Sequence, residues 1–405
     1  MPDPSGKQRV AQVDALRGFA LLGILLVNVW FFADSSTLSG GPDPATATDA
    51  TLLVRFLVST FFEGKFYLLF SLLFGYGVAV SLSISPGSNA GAGQLGTARL
   101  TTPQNDAVRR TARRLGFLAV LGVLHGVALF YGDILLTYAV MGALLLAFRP
   151  GSAHVALWVA GAITVAVALL LAVSAAVILA EGTGGAGSGS PAVPTSDAAA
   201  ALVENARAYG VVLPSVVVFQ GPLAFAAFYA GYALAALGVL RPTIPAPRVL
   251  RRVVLAALPL GLAGSAVQAY LSTYGGGTGP ALLATPISVL VSPLVTLGYV
   301  AAVLLLLGTR PGGRVTAILA PVGRLSLTNY LTQSLVLGLV FTGYGLGLMD
   351  RIPSPLVVLV VLALFAGQIL ASRLVLGRFG TGPVEAVLRR FVYRAPQRTS
   401  GHDAG

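Results

Sequence analysis

The chain has no cysteine among its 405 residues, which excludes disulfides, thiolate metal sites and a cysteine nucleophile. Charge is scarce as well. Asp, Glu, Lys and Arg make up 10% of the residues, against about 25% in a soluble globular protein. Histidine occurs three times and tryptophan twice. The sequence holds no phosphate loop, zinc-ligand pair, nucleophile-elbow serine or Asp-rich metal pair, so no metal is expected.

What the chain has instead is apolar sequence, 56% of its residues, in long runs from end to end. This composition belongs to a lipid bilayer. The net charge of +12 could suggest nucleic acid. However, the basic residues sit between the apolar runs, where topology accounts for them, and no nucleic-acid partner is expected.

The expected fold is all-α: a polytopic helical membrane protein of about ten transmembrane helices, each needing ~20 apolar residues. The apolar cores are Phe19–Phe32, Phe66–Leu82, Leu115–Tyr131, Ile134–Phe148, Val155–Ala180, Val211–Leu240, Val253–Tyr270, Ala281–Leu307, Leu325–Phe341 and Leu356–Leu376. The fourth is short, and Pro286 and Pro293 break the eighth. Thr51–Phe62 reads as a further helix too interrupted to span, lying in the interface or re-entering. Segment Glu181–Gly210, rich in Gly, Ser, Ala and Pro, reads as a flexible outer loop. It separates a five-helix half over 1–180 from another over 211–380, with a cytoplasmic tail over 381–405. With the N-terminus inside, 22 of the 26 Lys and Arg residues fall on the inner side. Only Arg55, Lys65, Arg207 and Arg351 fall outside, so both termini are expected in the cytoplasm.

Polar side chains within apolar spans are costly, so each is a functional candidate. Four clusters stand out. In Asp14-Ala-Leu-Arg17-Gly18, Asp14 and Arg17 are three apart on a helix and can pair. Asn28 follows Arg17 on the same face, ~16 Å along the axis. Arg17 reads either as a topological anchor or as a group for an anionic ligand, and Asn28 as interhelical glue or as chemistry. In the second cluster, Glu63 and Lys65 enter the second helix from the outer side, ahead of Ser71. Lys65 is a snorkelling lysine or part of a site, while Gly75 and Gly77 serve close packing.

The third cluster carries most of the functional argument. His125 is the only histidine inside an apolar span, and Asp133 follows two helical turns later at the Gly132 bend, ahead of Tyr138. If the bend lets Asp133 reach His125, the pair is a base and its orienter, as acyl transfer uses. The competing reading is a hydrogen-bonded interior histidine. In the fourth cluster, Ser326, Asn329, Tyr330 and Gln333 recur at i, i+3, i+4 and i+7, one polar stripe that must face protein or a water-filled cavity.

Taken together, Val13–Asn28, Gly64–Gly77, His125 with Gly132-Asp133-Ile134-Leu135, Arg324–Ser334 and the tail from Phe379 through Pro383 to Glu385 resemble the YeiB-type family of bacterial membrane proteins. That family is more distantly similar to the transmembrane acyltransferases, among them heparan glucosaminide acetyltransferase. The resemblance implies a bacterial plasma-membrane protein that passes an acyl group from cytoplasmic acyl-CoA to a glycan, lipid or small-molecule acceptor at the outer face. Sugar acetylases of this kind carry a histidine in or just after the first helix, where this chain has Asn28. The role given to His125 is therefore read from its own surroundings.

On this reading His125 is general base and Asp133 orients it. Asn28, Lys65, Ser71, Tyr138, Ser326, Asn329, Tyr330 and Gln333 bind the acceptor. Asp14, Arg17, Arg109, Arg110, Arg113 and Arg114 meet the acyl-CoA co-substrate, although topology alone also accounts for the last four. The rival readings are a transporter of a small metabolite or lipid, with His125 and Asp133 as a proton relay, and a non-catalytic envelope assembly partner.

Overall fold

The computed structural model describes residues 4–39, 41–83, 102–181, 197–240 and 246–393. The described residues form helices and no strand. Among them, fifteen α-helices follow in order: α1 Pro4–Asn28, α2 Trp30–Ala33, α3 Asp49–Phe61, α4 Lys65–Ser83, α5 Thr102–Ala128, α6 Leu135–Ala147, α7 Ala153–Glu181, α8 Ala198–Ser215, α9 Gly221–Ala236, α10 Pro247–Tyr274, α11 Thr278–Leu307, α12 Gly312–Arg324, α13 Ser326–Phe341, α14 Ser354–Phe379 and α15 Pro383–Val392.

Eight helical segments among the described residues are long and apolar enough to cross a membrane. They match eight of the ten expected spans. The other two expected spans are shorter helices, α6 with 13 residues and α13 with 16. Both begin beside polar breaks, at Asp133 and at Arg324, which cut the apolar run. Leu and Val side chains on α7, α10 and α14 point outward, as a lipid-facing surface requires.

The expected flexible segment 181–210 differs in its second half. Residues 182–196 lie outside the described residues, but α8 starts at Ala198, where the Asp197 carboxylate caps the amide of Ala199 at 2.9 Å. Pro214 lacks a donor, and the helix widens into a π turn over Val216–Gln220 before continuing as α9. The tail is also partly ordered, since α15 packs on α5 and α13. α3 is a regular helix, capped by Thr48 and separated from α4 by a turn at Phe62–Gly64 in which Gly64 has φ +76°.

Two close crossings fix the bundle. A Cβ on Gly323 of α12 would lie 1.8 Å from the Asp14 carbonyl oxygen, and one on Gly18 of α1 would lie 2.3 Å from that of Leu319. Only glycine lets these backbones meet. Gly75 of α4 and Gly231 of α9 do the same against the backbones of Phe228 and Leu72.

Candidate functional site

His125 lies one turn from the end of α5, and the chain then reverses through Tyr131-Gly132-Asp133 into α6. The reversal lets a residue eight positions later return to the imidazole. Asp133 Oδ1 lies 2.8 Å from His125 Nδ1, with both side chains fully buried. The other carboxylate oxygen accepts from the Leu136 amide at 3.2 Å, capping the first turn of α6. Gly122, one turn before His125, makes room: a Cβ there would stand 2.9 Å from Asp133 Oδ2 and 2.4 Å from the Leu136 nitrogen.

The second imidazole nitrogen meets a residue from the far end of the sequence. Ser334 Oγ on α13 lies 2.9 Å from His125 Nε2. When Asp133 is ionised its carboxylate can only accept, and in that state it holds the proton on Nδ1 and leaves Nε2 to accept from the Ser334 hydroxyl. Asp133, His125 and Ser334 thus form one hydrogen-bonded chain, 1%, 2% and 4% exposed respectively. The rings of Tyr330 and Phe130 flank the imidazole at 5.0 and 6.2 Å between centroids. Above it, Tyr209 of α8 packs on Gly126, while Asn205 donates to the carbonyls of Gly126 and Val127 at 2.8 and 2.7 Å. The hydroxyls of Tyr209 and Tyr330 are buried with no partner at full hydrogen-bonding geometry.

The polar stripe of α13 divides into two rows. Tyr330 and Ser334 face His125. Asn329 and Gln333 face α14: Asn329 Nδ2 donates to Ser372 Oγ at 3.0 Å, and Gln333 Nε2 to Gln368 Oε1 at 2.9 Å. The two amides tie helices together and do not reach the imidazole. Ser71 Oγ and the Tyr138 hydroxyl are 2.7 Å apart, and both reach the Tyr67 carbonyl, a tie between α4 and α6. Lys65 belongs to a different cluster. Fully buried, it donates to the Ser59 carbonyl at 2.7 Å across the α3–α4 turn, beside a Glu63 carboxylate that accepts from Ser59 Oγ. Asn28 is half-buried at the end of α1.

A second centre lies near the start of α13. A cavity of ≈ 290 Å³ is lined by Asp14, Arg17, Arg114, Arg324, Ser326 and Glu385, among apolar neighbours. Arg17 pairs with Asp14 at 2.8 Å. Glu385 caps α13, accepting from the amides of Leu327 and Thr328 at 2.9 and 3.1 Å. Among the described residues neither Arg114 nor Arg324 has an ion pair, and the Arg114 Nε is buried without a partner while its guanidinium stacks over Phe74. Three guanidinium groups therefore face one cavity with a single carboxylate paired to them. Of the other expected cationic residues, Arg110 lines an adjoining cavity, Arg113 reaches the Val392 carbonyl at 3.4 Å and Arg109 is exposed. Ser334 and Arg324 bound the segment Arg324–Ser334 that carries the resemblance, but the sequence assigns neither a role in the site. No group of three or more His, Cys, Asp or Glu among the described residues could hold a metal ion.

The two centres share helices. From Ser326 to Ser334 along α13 is about 12 Å, and from Arg114 to His125 along α5 about 16 Å, at 1.5 Å per residue. The molecule is thus a helical membrane protein with a cationic cavity and a buried Asp–His–Ser chain.

Residues 234–395 match the family described as "Protein of unknown function (DUF418)". The chain is 26% identical to "Uncharacterized protein YxaH" of Bacillus subtilis (strain 168) over 416 aligned positions, covering 95% of this chain and 94% of that protein. It is 34% identical over 142 positions to "Uncharacterized 39.9 kDa protein in amylase 3'region" of Bacillus acidopullulyticus, covering 35% of this chain and 34% of that protein. No solved structure matches. The family match and the YxaH relative are consistent with a YeiB-like family, and neither carries a named activity.

Proposed function

We propose that this protein is a membrane acyltransferase that takes an acyl group from cytoplasmic acyl-CoA and delivers it to a hydroxyl or amine acceptor at the outer face. The observation that carries the reading is the 2.8 Å pairing of His125 with Asp133 inside an apolar bundle, with the remaining imidazole nitrogen turned to a hydroxyl. A base so oriented removes a proton from a nucleophile as it attacks a carbonyl. The low dielectric around it makes each nearby donor count toward a developing oxyanion.

The cationic cavity supplies the second half of the argument. Arg17, Arg114 and Arg324 suit the phosphates of CoA, because guanidinium groups bind phosphate oxygens in bidentate pairs. The 12–16 Å between cavity and imidazole, at about 1.5 Å per residue along α13 and α5, is a span that the pantetheine arm can bridge. The basic residues concentrated on the cavity side favour placing it at the cytoplasm.

The test is transfer of labelled acyl groups in reconstituted vesicles. His125→Ala is expected to lower transfer by about 10²–10⁴-fold, the usual cost of losing a general base, while acyl-CoA still binds. Arg114→Gln with Arg324→Gln is expected to weaken acyl-CoA binding and leave the protein folded. Normal turnover in a well-folded His125→Ala protein overturns the mechanism. A wild type that binds no acyl-CoA overturns the enzyme reading and favours the transporter.

A further inference from the structure

Hydroxyl side chains on helices in this protein commonly bond back to the carbonyl four residues earlier. Ser71, Ser81, Thr111, Thr164 and Ser174 all do so. Ser334 does not. Its hydrogen bond runs to His125 Nε2, at 2.9 Å, so the nitrogen that would receive an acceptor's proton already faces a hydroxyl of the chain itself.

We propose that Ser334 is the nucleophile and carries the acyl group, so that transfer passes through an ester on Ser334 and not by direct attack of the acceptor on acyl-CoA. The inference rests on the acyltransferase reading above. In the first half-reaction Ser334 Oγ bonds to the thioester carbonyl carbon while its proton moves to His125 Nε2. The C–S bond then breaks, and the departing thiolate takes that proton, leaving CoA with a free thiol. In the second half-reaction the acceptor hydroxyl or amine attacks the ester carbon and gives its proton to His125. Ser334 Oγ leaves with that proton and returns to its starting state. Atoms and charge balance, and no oxidant or metal is needed.

Two further features suit such an intermediate. The Tyr330 hydroxyl is a buried donor with no full-geometry partner, available to the oxyanion that forms in each half-reaction, and Tyr209, whose hydroxyl is likewise unpartnered, packs on Gly126 beside His125. Tyr330 is four residues before Ser334 and on the same face, with its ring against the imidazole. The burial of Ser334 also keeps bulk water from the ester between the two steps.

The absence of cysteine gives a clean readout, because a thiol reagent then reports only released CoA. Purified full-length protein is mixed with acetyl-, butyryl- or palmitoyl-CoA without added acceptor. The expected result is a burst of about one CoA per chain, the kinetic fingerprint of a covalent intermediate. Mass spectrometry should place the acyl group on the peptide containing Ser334. Ser334→Ala should give neither burst nor label and should lower transfer by more than about 10³-fold, as loss of a triad nucleophile does. Ser334→Cys keeps the side-chain shape and should trap the label as a thioester cleaved by neutral hydroxylamine.

A wild type that binds acyl-CoA and transfers it but shows no burst overturns the covalent step and leaves direct transfer standing. So does a burst that survives Ser334→Ala. Failure to bind any acyl-CoA removes the acyltransferase reading itself, a result the binding measurement distinguishes from the other two.

Discussion

Replacing Gly122 by alanine disturbs the candidate site without removing any of its functional groups. The added methyl would stand 2.4 Å from the Leu136 nitrogen and 3.0 Å from the Leu135 carbonyl carbon, both backbone atoms that cannot swing aside. Restoring ordinary contact requires the start of α6 to retreat by about 1 Å, since packed interiors offer no slack. The Asp133 carboxylate is bonded to the same Leu136 amide and moves with it. Its 2.8 Å bond to His125 then stretches beyond hydrogen-bonding distance. Overpacking of this kind costs about 1–3 kcal/mol of stability. Loss of the orienting carboxylate is expected to lower acyl transfer by up to about 10⁴-fold, the effect of removing the aspartate's role in a Ser–His–Asp triad. Gly116, earlier on α5, has nothing within 4 Å of the place a methyl would occupy, so Gly116→Ala serves as the neutral control. The assay pairs acyl transfer with nitrogen-15 NMR of histidine-labelled protein, where three imidazoles give a readable spectrum. Unchanged transfer and an unchanged His125 Nδ1 proton in Gly122→Ala would refute the reasoning.

Two other outcomes follow from the packing and the charge pattern. Gln333→Leu strands Gln368 Oε1 and is expected to cost about 0.6–1.7 kcal/mol, the range for interhelical hydrogen bonds in a bilayer, with Gln333→Leu/Gln368→Leu recovering most of it in a thermal-stability assay. A large loss of transfer in the double variant would place these amides in the site after all. Tags at residue 1, within Arg99–Arg114 and at residue 405 are expected to report cytoplasm, and a tag within Gly182–Ser190 the exterior; the reverse labelling would overturn the orientation.

The helical bundle is legible in the sequence because apolar runs are local signals, and His125 and Asp133 stand out locally as candidate partners; that the Gly132 bend brings them together is a finding of the structure. Ser334 was hidden for the opposite reason. Serine is common in membrane helices, and the 209 residues between it and His125 leave nothing local to connect them. Its only sequence signal is its place four residues after Tyr330. Arg324 was masked by the positive-inside pattern, which accounts for any arginine at a helix boundary. The α13 stripe is read from sequence as facing protein or a water-filled cavity, but a single 3.6-residue period covers two adjoining rows. Only the position of α14 separates the row holding Asn329 and Gln333 from the row holding Tyr330 and Ser334. α8 was missed because the Gly and Ser of residues 182–196 set the character assigned to the whole segment.

The Asp133–His125–Ser334 chain also bears on how the protein is made. Histidine and aspartate lie eight residues apart on the α5–α6 reversal, so they can pair as soon as that reversal forms. Ser334 leaves the ribosome 209 residues after His125. At about 5–20 residues per second that is a delay of about 10–40 s. The region matching the DUF418 description, 234–395, contains Ser334 but neither His125 nor Asp133. Expressed alone, that segment would insert with its serine facing no imidazole. The third member of the hydrogen-bonded chain would then be missing, so the site is completed only once α13 joins α5 and α6.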